Sequence, residues 1–276
     1  MTNLPKFTVC MSVYINSKPD EFLAAYNSII NQTVPPNEII LIIDGPISEK
    51  LESVIESLHQ NKTLKILRIP ENKGLGNALK IGVENTSNDY FARMDSDDIS
   101  LPNRFELQLD YFLHHPNTDV LGGQITEFID SPEHIIGKRI VPLNNEDIYS
   151  YMRKRCAMNH PSVMLRKNAV INAGNYQDWF LNEDYYLWIR MMSNKCEFAN
   201  LDQVLVNLRV SNGLYERRGG WSYFKSEAGI QVLLHKYHFI TWLREIYNIS
   251  LRFIMQILLP NKVRRFVYQT ILRDHS

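Results

Sequence analysis

Asp95, Asp97 and Asp98, interrupted only by Ser96, put three carboxylates into four consecutive residues. Like charges this close repel one another, and placing them at the end of a buried strand costs free energy unless a cation joins them. Their hard oxygens suit Mg²⁺ or Mn²⁺, ions that keep coordination positions open for water and phosphate oxygens. A solvated acidic turn ahead of a helix is the other reading of the same residues. Glu183-Asp184 opens a helical pattern carrying Leu187-Trp-Ile189 and Met191-Met192. Acids in a first helical turn commonly serve the helix dipole, so position alone leaves their role open. His160, before Pro161, and Arg209, at the end of a strand-like run, are further polar candidates with ordinary structural roles available to both.

The elements that must position these groups follow from periodicity. Phe7 to Tyr14 is rich in strand formers, and Asp20 to Gln32 places Phe22, Tyr26 and Ile29 at helical spacing. Glu38 to Ile43 reads as a strand buried on both faces. Ser48 caps a helix with Leu51, Ile55 and Leu58 on one side. Leu64–Ile69 is a third strand, Gly74–Glu84 a helix and Asp89–Met94 a fourth strand. Strands alternating with helices predict βαβ units, a mostly parallel central sheet and helices on both faces. Beyond Asp98 the spacing predicts helices over 102–114, 144–154 and 183–193, short strands within 120–141, and strands over 162–166 and 203–210. From Tyr223 onward the pattern is helical, which divides the chain into a domain at 1–222 and a helical extension at 223–276.

In an open parallel sheet, ligands bind outside the carboxyl ends of the strands. Strand two runs directly into Asp44-Gly45, and strand four into Asp95-Ser96-Asp97-Asp98. Asp44 reads either as a turn acid or as an acceptor for a nucleobase imide N–H. Asn72-Lys-Gly-Leu-Gly76 follows strand three and fits neither the dinucleotide nor the P-loop glycine pattern. A glycine turn before a helix N-terminus can still lie near a nucleotide.

Composition bounds the possibilities. The 276 residues carry 30 Lys+Arg against 30 Asp+Glu, so no charge excess points to nucleic acid. Three widely spaced cysteines fit no metal pattern or closed disulfide framework and read as reduced thiols. The first residues lack the apolar stretch of a secretory signal, and no run approaches a membrane span. The expected location is the cytoplasm, or the cytoplasmic face of the inner membrane as a peripheral protein. From Arg244 onward six basic residues face two acids, interleaved with Ile246, Phe253, Ile257, Phe266 and Tyr268. That composition suits either a helix on an anionic bilayer or one packed on the domain.

Taken in order, Ser12-Val-Tyr14, Asp44-Gly45, Asn72-Lys-Gly-Leu-Gly76, Ala92-Arg-Met-Asp-Ser-Asp-Asp-Ile-Ser-Leu-Pro-Asn-Arg104, His160-Pro-Ser-Val-Met164 and Asn182-Glu-Asp-Tyr-Tyr-Leu-Trp188 resemble the family 2 glycosyltransferases of GT-A fold. The closest likeness is to bacterial members that build capsule, O-antigen or exopolysaccharide. The resemblance covers roughly residues 6–230 and includes Arg217-Arg-Gly-Gly220. It differs from many members at Leu79-Lys80, where an Arg-Asn pair is common, and at Ser211, near which a His is common.

The resemblance implies a hexose-type sugar moved, with inversion, from a nucleotide diphosphate donor, UDP above all. The acceptor would be a hydroxyl of a glycan or lipid-linked molecule. Val13 and Tyr14 would line the base and ribose pocket and Asp44 would read the base edge. Asn72, Gly74 and Ser96 would complete the donor site. Asp95 and Asp97 would form the metal element for Mn²⁺ or Mg²⁺, with Asp97 the direct ligand. Asp184 would be the general base with Glu183 beside it, and His160 and Arg209 would lie on the acceptor or phosphate side. Two alternatives compete: a sugar-nucleotidyltransferase, and a non-catalytic nucleotide-sugar-binding protein. An aspartyl-phosphate phosphatase would need an Asp at the end of strand one, where Ser12-Val-Tyr14 stands.

Overall fold

The computed structural model describes residues 4–210 and 219–260. Arg217, Arg218 and the basic stretch from Lys262 to Arg273 lie outside the described residues.

The chain opens with β1 (Phe7–Val13), α1 (Pro19–Ile30), β2 (Glu38–Asp44), α2 (Glu49–Ser57), β3 (Leu64–Ile69), α3 (Leu75–Asn85) and β4 (Tyr90–Met94), the expected alternation. Pro19 sits in the first turn of α1, where its missing N–H costs nothing. The Ser48 hydroxyl accepts from the Leu51 N–H at 3.3 Å and starts α2, as its position predicts. Next come β5 (Ile99–Ser100), α4 (Arg104–His114), β6 (Thr118–Phe128), β7 (Ile135–Arg139), α5 (Asn145–Met152), β8 (Met164–Arg166), α6 (Lys167–Asn172), α7 (Glu183–Ser193) and β9 (Glu197–Arg209). Two helices, α8 (Trp221–Lys236) and α9 (Trp242–Phe253), follow, the second ending in a π turn at Ile254–Leu258.

The strands form one sheet ordered β3-β2-β1-β4-β8-β6-β9-β5, with β7 paired to β6. The first four run parallel. β8 enters antiparallel between β4 and β6, and β5 pairs antiparallel with β9. Strict alternation along β1 sends Phe7, Val9, Met11 and Val13 to one face, beneath Phe22 of α1, Leu51 of α2 and Phe105 of α4. Cys10 and, from β2, Ile40 and Ile42 point the other way, beneath Leu79 and Val83 of α3. Leu187 and Trp188 of α7 and Ile230 of α8 belong to the same second layer. The mostly parallel sheet with helices on both faces is thus the observed architecture.

Two strand starts differ from expectation, and one short strand was not expected. β9 begins at Glu197 rather than near Gln203, because its first residues pair with β6. The segment expected as a strand from Ser162 starts at Met164, since His160–Ser162 forms a 3₁₀ turn. β5 follows no period readable in two residues; it exists because Ile99 and Ser100 pair with Asn207 and Val206.

Candidate active site

β1, β2 and β4 run parallel in register, so Val13, Asp44 and Met94 end at one edge of the sheet. The acidic loop begins there. One ligand oxygen from each of Asp95, Asp97 and Asp98 falls within 4.8 Å of the others. Burial, then the charges of Asp95 and Glu21, push the Asp97 carboxyl up to about 6. Asp98, fully enclosed, is raised well above the carboxylate range by burial and then by Asp95 and Asp97. Its Oδ2 is buried with no hydrogen-bond partner. Burial and mutual repulsion disfavour the charges of Asp97 and Asp98, and the all-oxygen donor set fits a hard divalent cation.

Three arginines support the loop. Arg93, buried on β4, grips both carboxylate oxygens of Asp95 through its two terminal nitrogens. Burial disfavours the Arg93 charge, but the Asp95 carboxylate more than offsets this and raises its pKa. Arg104, at the start of α4 and fully buried, donates to the Arg93 carbonyl at 2.9 Å and the Val163 carbonyl at 3.3 Å. Burial and then the Arg93 charge lower it to about 9. Arg209, at the end of β9, donates its backbone N–H to Asp98 Oδ1 at 2.8 Å and its Nε–H to the Asp97 carbonyl at 3.0 Å. Its guanidinium lies over the Phe128 ring and 3.7 Å from Glu21. Arg209 therefore clamps the backbone of the acidic loop.

The glycine turn after β3 is tied to β2. Asp44 accepts from the Lys73 N–H on Oδ1 (2.8 Å) and from the Gly74 N–H on Oδ2 (2.9 Å), while Asn72 Nδ2 donates to its carbonyl. Gly74 takes φ of 84°, a conformation open to glycine, and lets α3 start immediately afterwards. Both Asp44 oxygens thus hold the turn, and the side chain is 3% exposed.

On the far side of that turn stands α7. A Cβ built on Gly76 would lie 3.2 Å from Glu183 Cβ and 2.9 Å from the Gln177 carbonyl. Glu183 is pushed up to about 7 by burial and then by Asp184, with a smaller rise from Asp95 that the Arg93 charge opposes. Asp184 accepts from the Tyr185 N–H at 2.7 Å, and its other oxygen lies 4.0 Å from the Cys156 sulfur. The thiol is pushed up to about 12 by burial and then by Asp184. The acid pair thus meets two different environments.

The remaining expected residues fall in two places. Tyr14 is exposed at the rim, its backbone closing a turn with Ser17. Ser96 lies within the acidic loop, between Asp95 and Asp97. Val13 is fully buried in the core beneath the rim. His160 is also buried, its Nε2 3.0 Å from the Tyr176 hydroxyl and its ring edge-on to Trp188. Burial and then the Arg93 charge lower its pKa well below the usual histidine value, so it stands neutral under the site. Sequence reasoning gave no role to Arg93, Glu21 or Cys156. A lone arginine within the apolar strand Tyr90–Met94, two residues before Asp95, is the signal that could have found the first.

Residues 8–180 match the family model described as "Glycosyl transferase family 2". The chain is 36% identical over 271 residues to the Escherichia coli "UDP-Gal:alpha-D-GlcNAc-diphosphoundecaprenol beta-1,3-galactosyltransferase", covering 98% of this chain and 97% of that one. It is 37% identical over 263 residues to the Erwinia amylovora "Amylovoran biosynthesis glycosyltransferase AmsE", covering 95% and 98%. The structure is similar to that of the mannosyltransferase PcManGT of Pyrobaculum calidifontis in complex with GDP-Man and Mn²⁺, at a TM-score of 0.62 and 12% identity over 98% of this chain and 81% of that one. The fold is that of the GT-A glycosyltransferases. The chain belongs to glycosyl transferase family 2.

Proposed function

We propose that the protein transfers a hexose-type sugar from a UDP-sugar to a hydroxyl of a lipid-linked acceptor, with inversion, in surface polysaccharide assembly. The observation that supports this reading is the Asp95-Asp97-Asp98 cluster at the carboxyl edge of the sheet. The Glu183-Asp184 pair opens α7, whose first residue packs against the glycine turn at Gly76. The Escherichia coli relative, named for a UDP-Gal donor and a diphosphoundecaprenol-linked acceptor, supports the donor and acceptor classes, and the Erwinia amylovora relative supports a role in polysaccharide assembly.

Asp97, with Asp98 and Asp95, would hold Mn²⁺ or Mg²⁺, which when bound supplies positive charge to the diphosphate leaving group. Tyr14 at the rim offers a face to the base and ribose. Asp44 shapes the donor pocket by holding Asn72 to Gly74 in place. Arg209 fixes the height of the acidic loop through the Asp97 carbonyl and Asp98. The acid pair takes the proton from the acceptor hydroxyl as that oxygen attacks the anomeric carbon opposite the diphosphate. One such displacement inverts the anomeric centre.

Asp184 is the proton acceptor in this reading. A second reading, with Glu183 in that role, is favoured by its place against the glycine turn and by a carboxyl held at about 7, near the optimum for a general base. Product formation from UDP-sugars by Asp184→Asn and Glu183→Gln variants tests both. Loss of the base lowers kcat on the order of 10²- to 10⁴-fold with donor binding retained. If both variants keep full turnover, the acid pair is not the proton acceptor.

A lipid-linked acceptor brings the enzyme to a membrane. No described helix is long and apolar enough to cross one, so the proposed association is peripheral, on the cytoplasmic face.

A further inference from the structure

Helix α9 is packed the wrong way round for a soluble amphipathic helix. Its polar side faces the domain. Asn248, 3% exposed, donates to Gln231 Oε1 at 2.7 Å and to the Arg153 carbonyl at 3.3 Å. One turn on, Arg252 donates to Glu227 Oε2 at 2.7 Å and to the Lys154 carbonyl at 2.9 Å. Glu245 lies 2.8 Å from His235 Nδ1, and Gln256 is buried. The apolar side faces outward. Trp242, Leu243, Ile246, Tyr247, Ile254 and Leu258 are each 47% to 62% exposed.

A helix held by burying its polar stripe has no folding reason to display its apolar one. Apolar side chains concentrated on one exposed face mark an interaction surface. We propose that the outward face of α9 and the π turn is the surface by which this protein lies on an anionic lipid bilayer. This deepens the reading of a lipid-linked acceptor and rests on it for its biological purpose.

Three features select a bilayer rather than a second protein. Residues 242–258 would span roughly 25 Å as a helix and contain Arg244, Glu245 and Arg252, so the segment suits lying along a surface and not crossing it. Trp242 and Tyr247 pair an apolar ring with a polar tip, the combination favoured at the lipid–water boundary. Directly after this face the sequence supplies Lys262, Arg264, Arg265 and Arg273 against one acid, Asp274. That charge complements anionic headgroups.

The surface is also mechanically joined to the site. Ser226 of α8 accepts from Asn182 Nδ2 at 3.0 Å and donates to the Phe180 carbonyl, and Asn182 immediately precedes Glu183. A bilayer under α9 would therefore stand at a fixed distance from the acid pair, where a lipid-linked hydroxyl must arrive.

The test is co-sedimentation of the full chain with vesicles of equal parts phosphatidylcholine and phosphatidylglycerol, alongside pure phosphatidylcholine. Wild type is expected to sediment with the anionic vesicles and less with the neutral ones. A Leu243→Glu, Ile246→Glu double variant is expected to partition roughly tenfold or more weakly. Both side chains are exposed, so circular dichroism and the thermal midpoint should match wild type, as should transfer to a water-soluble acceptor analogue. Leu258→Glu, at the far end of the face, repeats the test should the double variant misfold. Two results overturn the proposal: variants that sediment as wild type does, or a wild-type dimer that the variants convert to monomer with no vesicle binding by either. Vesicle binding by wild type without sugar transfer to any acceptor would leave the surface standing and remove the transferase reading.

Discussion

Gly76 lets α3 press against the head of α7: a methyl group at Gly76 would sit 3.2 Å from Glu183 Cβ and 2.9 Å from the Gln177 carbonyl. The glycine turn, tied to β2 through Asp44, thereby sets how closely the acid pair approaches the sheet edge that carries Asp95 and Asp97.

Gly76→Ala should therefore push α7 outward. Overpacking of this kind costs roughly 1–3 kcal/mol of stability. Displacement of the acid pair should lower kcat roughly tenfold to a hundredfold with donor affinity nearly unchanged. Steady-state kinetics and a urea titration read both; unchanged kcat in a folded variant would separate Gly76 from the chemistry.

Asp44→Asn tests the structural side of a residue that sequence alone leaves open between turn acid and base reader. Each carboxylate oxygen accepts one N–H, from Lys73 or Gly74. An amide can offer only one acceptor oxygen, so one buried N–H loses its partner at a cost of roughly 1–3 kcal/mol. The urea midpoint should fall accordingly. A variant as stable as wild type but unable to bind a nucleotide would make base reading the principal role of Asp44.

The Glu183 carboxyl titrates at about 7 in the fold, against an ordinary value of 4.5. Between those values the folded state holds a proton that the unfolded state has released, so stability falls as pH rises through this window. The cost is complete above about pH 7 and amounts to at most roughly 3 kcal/mol. Glu183→Gln should raise the thermal midpoint well above pH 7 and have no such effect below about pH 4.5. A midpoint difference of the same size at both ends of the range would contradict the raised carboxyl.

The legible part of the architecture was the part that repeats locally. β1 to β4 and α1 to α3 each bury one face or both against neighbours in chain order, so period and caps suffice to find them. The antiparallel entry of β8 between β4 and β6 depends on partners distant in sequence, and so does the pairing of β5 with β9. The site divides in the same way. Asp95, Asp97 and Asp98 were legible because they follow a strand. The Arg93 grip on Asp95, and the Arg209 clamp 111 residues after Asp98, are products of tertiary folding. His160 reads in sequence as a polar candidate with an ordinary structural role also open to it, and it lies buried against Tyr176 and Trp188. The helical pattern of α9 gives its face but not its direction, which is set by Gln231, Glu227 and two backbone carbonyls.

The central claim is that Asp95, Asp97 and Asp98 bind a nucleotide sugar through a divalent cation. Calorimetry with UDP-sugars, with and without Mn²⁺, on wild type and Asp97→Ala tests it most directly. Wild type is expected to bind a UDP-sugar at least roughly tenfold more tightly with Mn²⁺ present, and Asp97→Ala is expected to lose this metal-dependent gain. Equal affinity with and without Mn²⁺, or an Asp97→Ala protein that keeps the full gain, would contradict it.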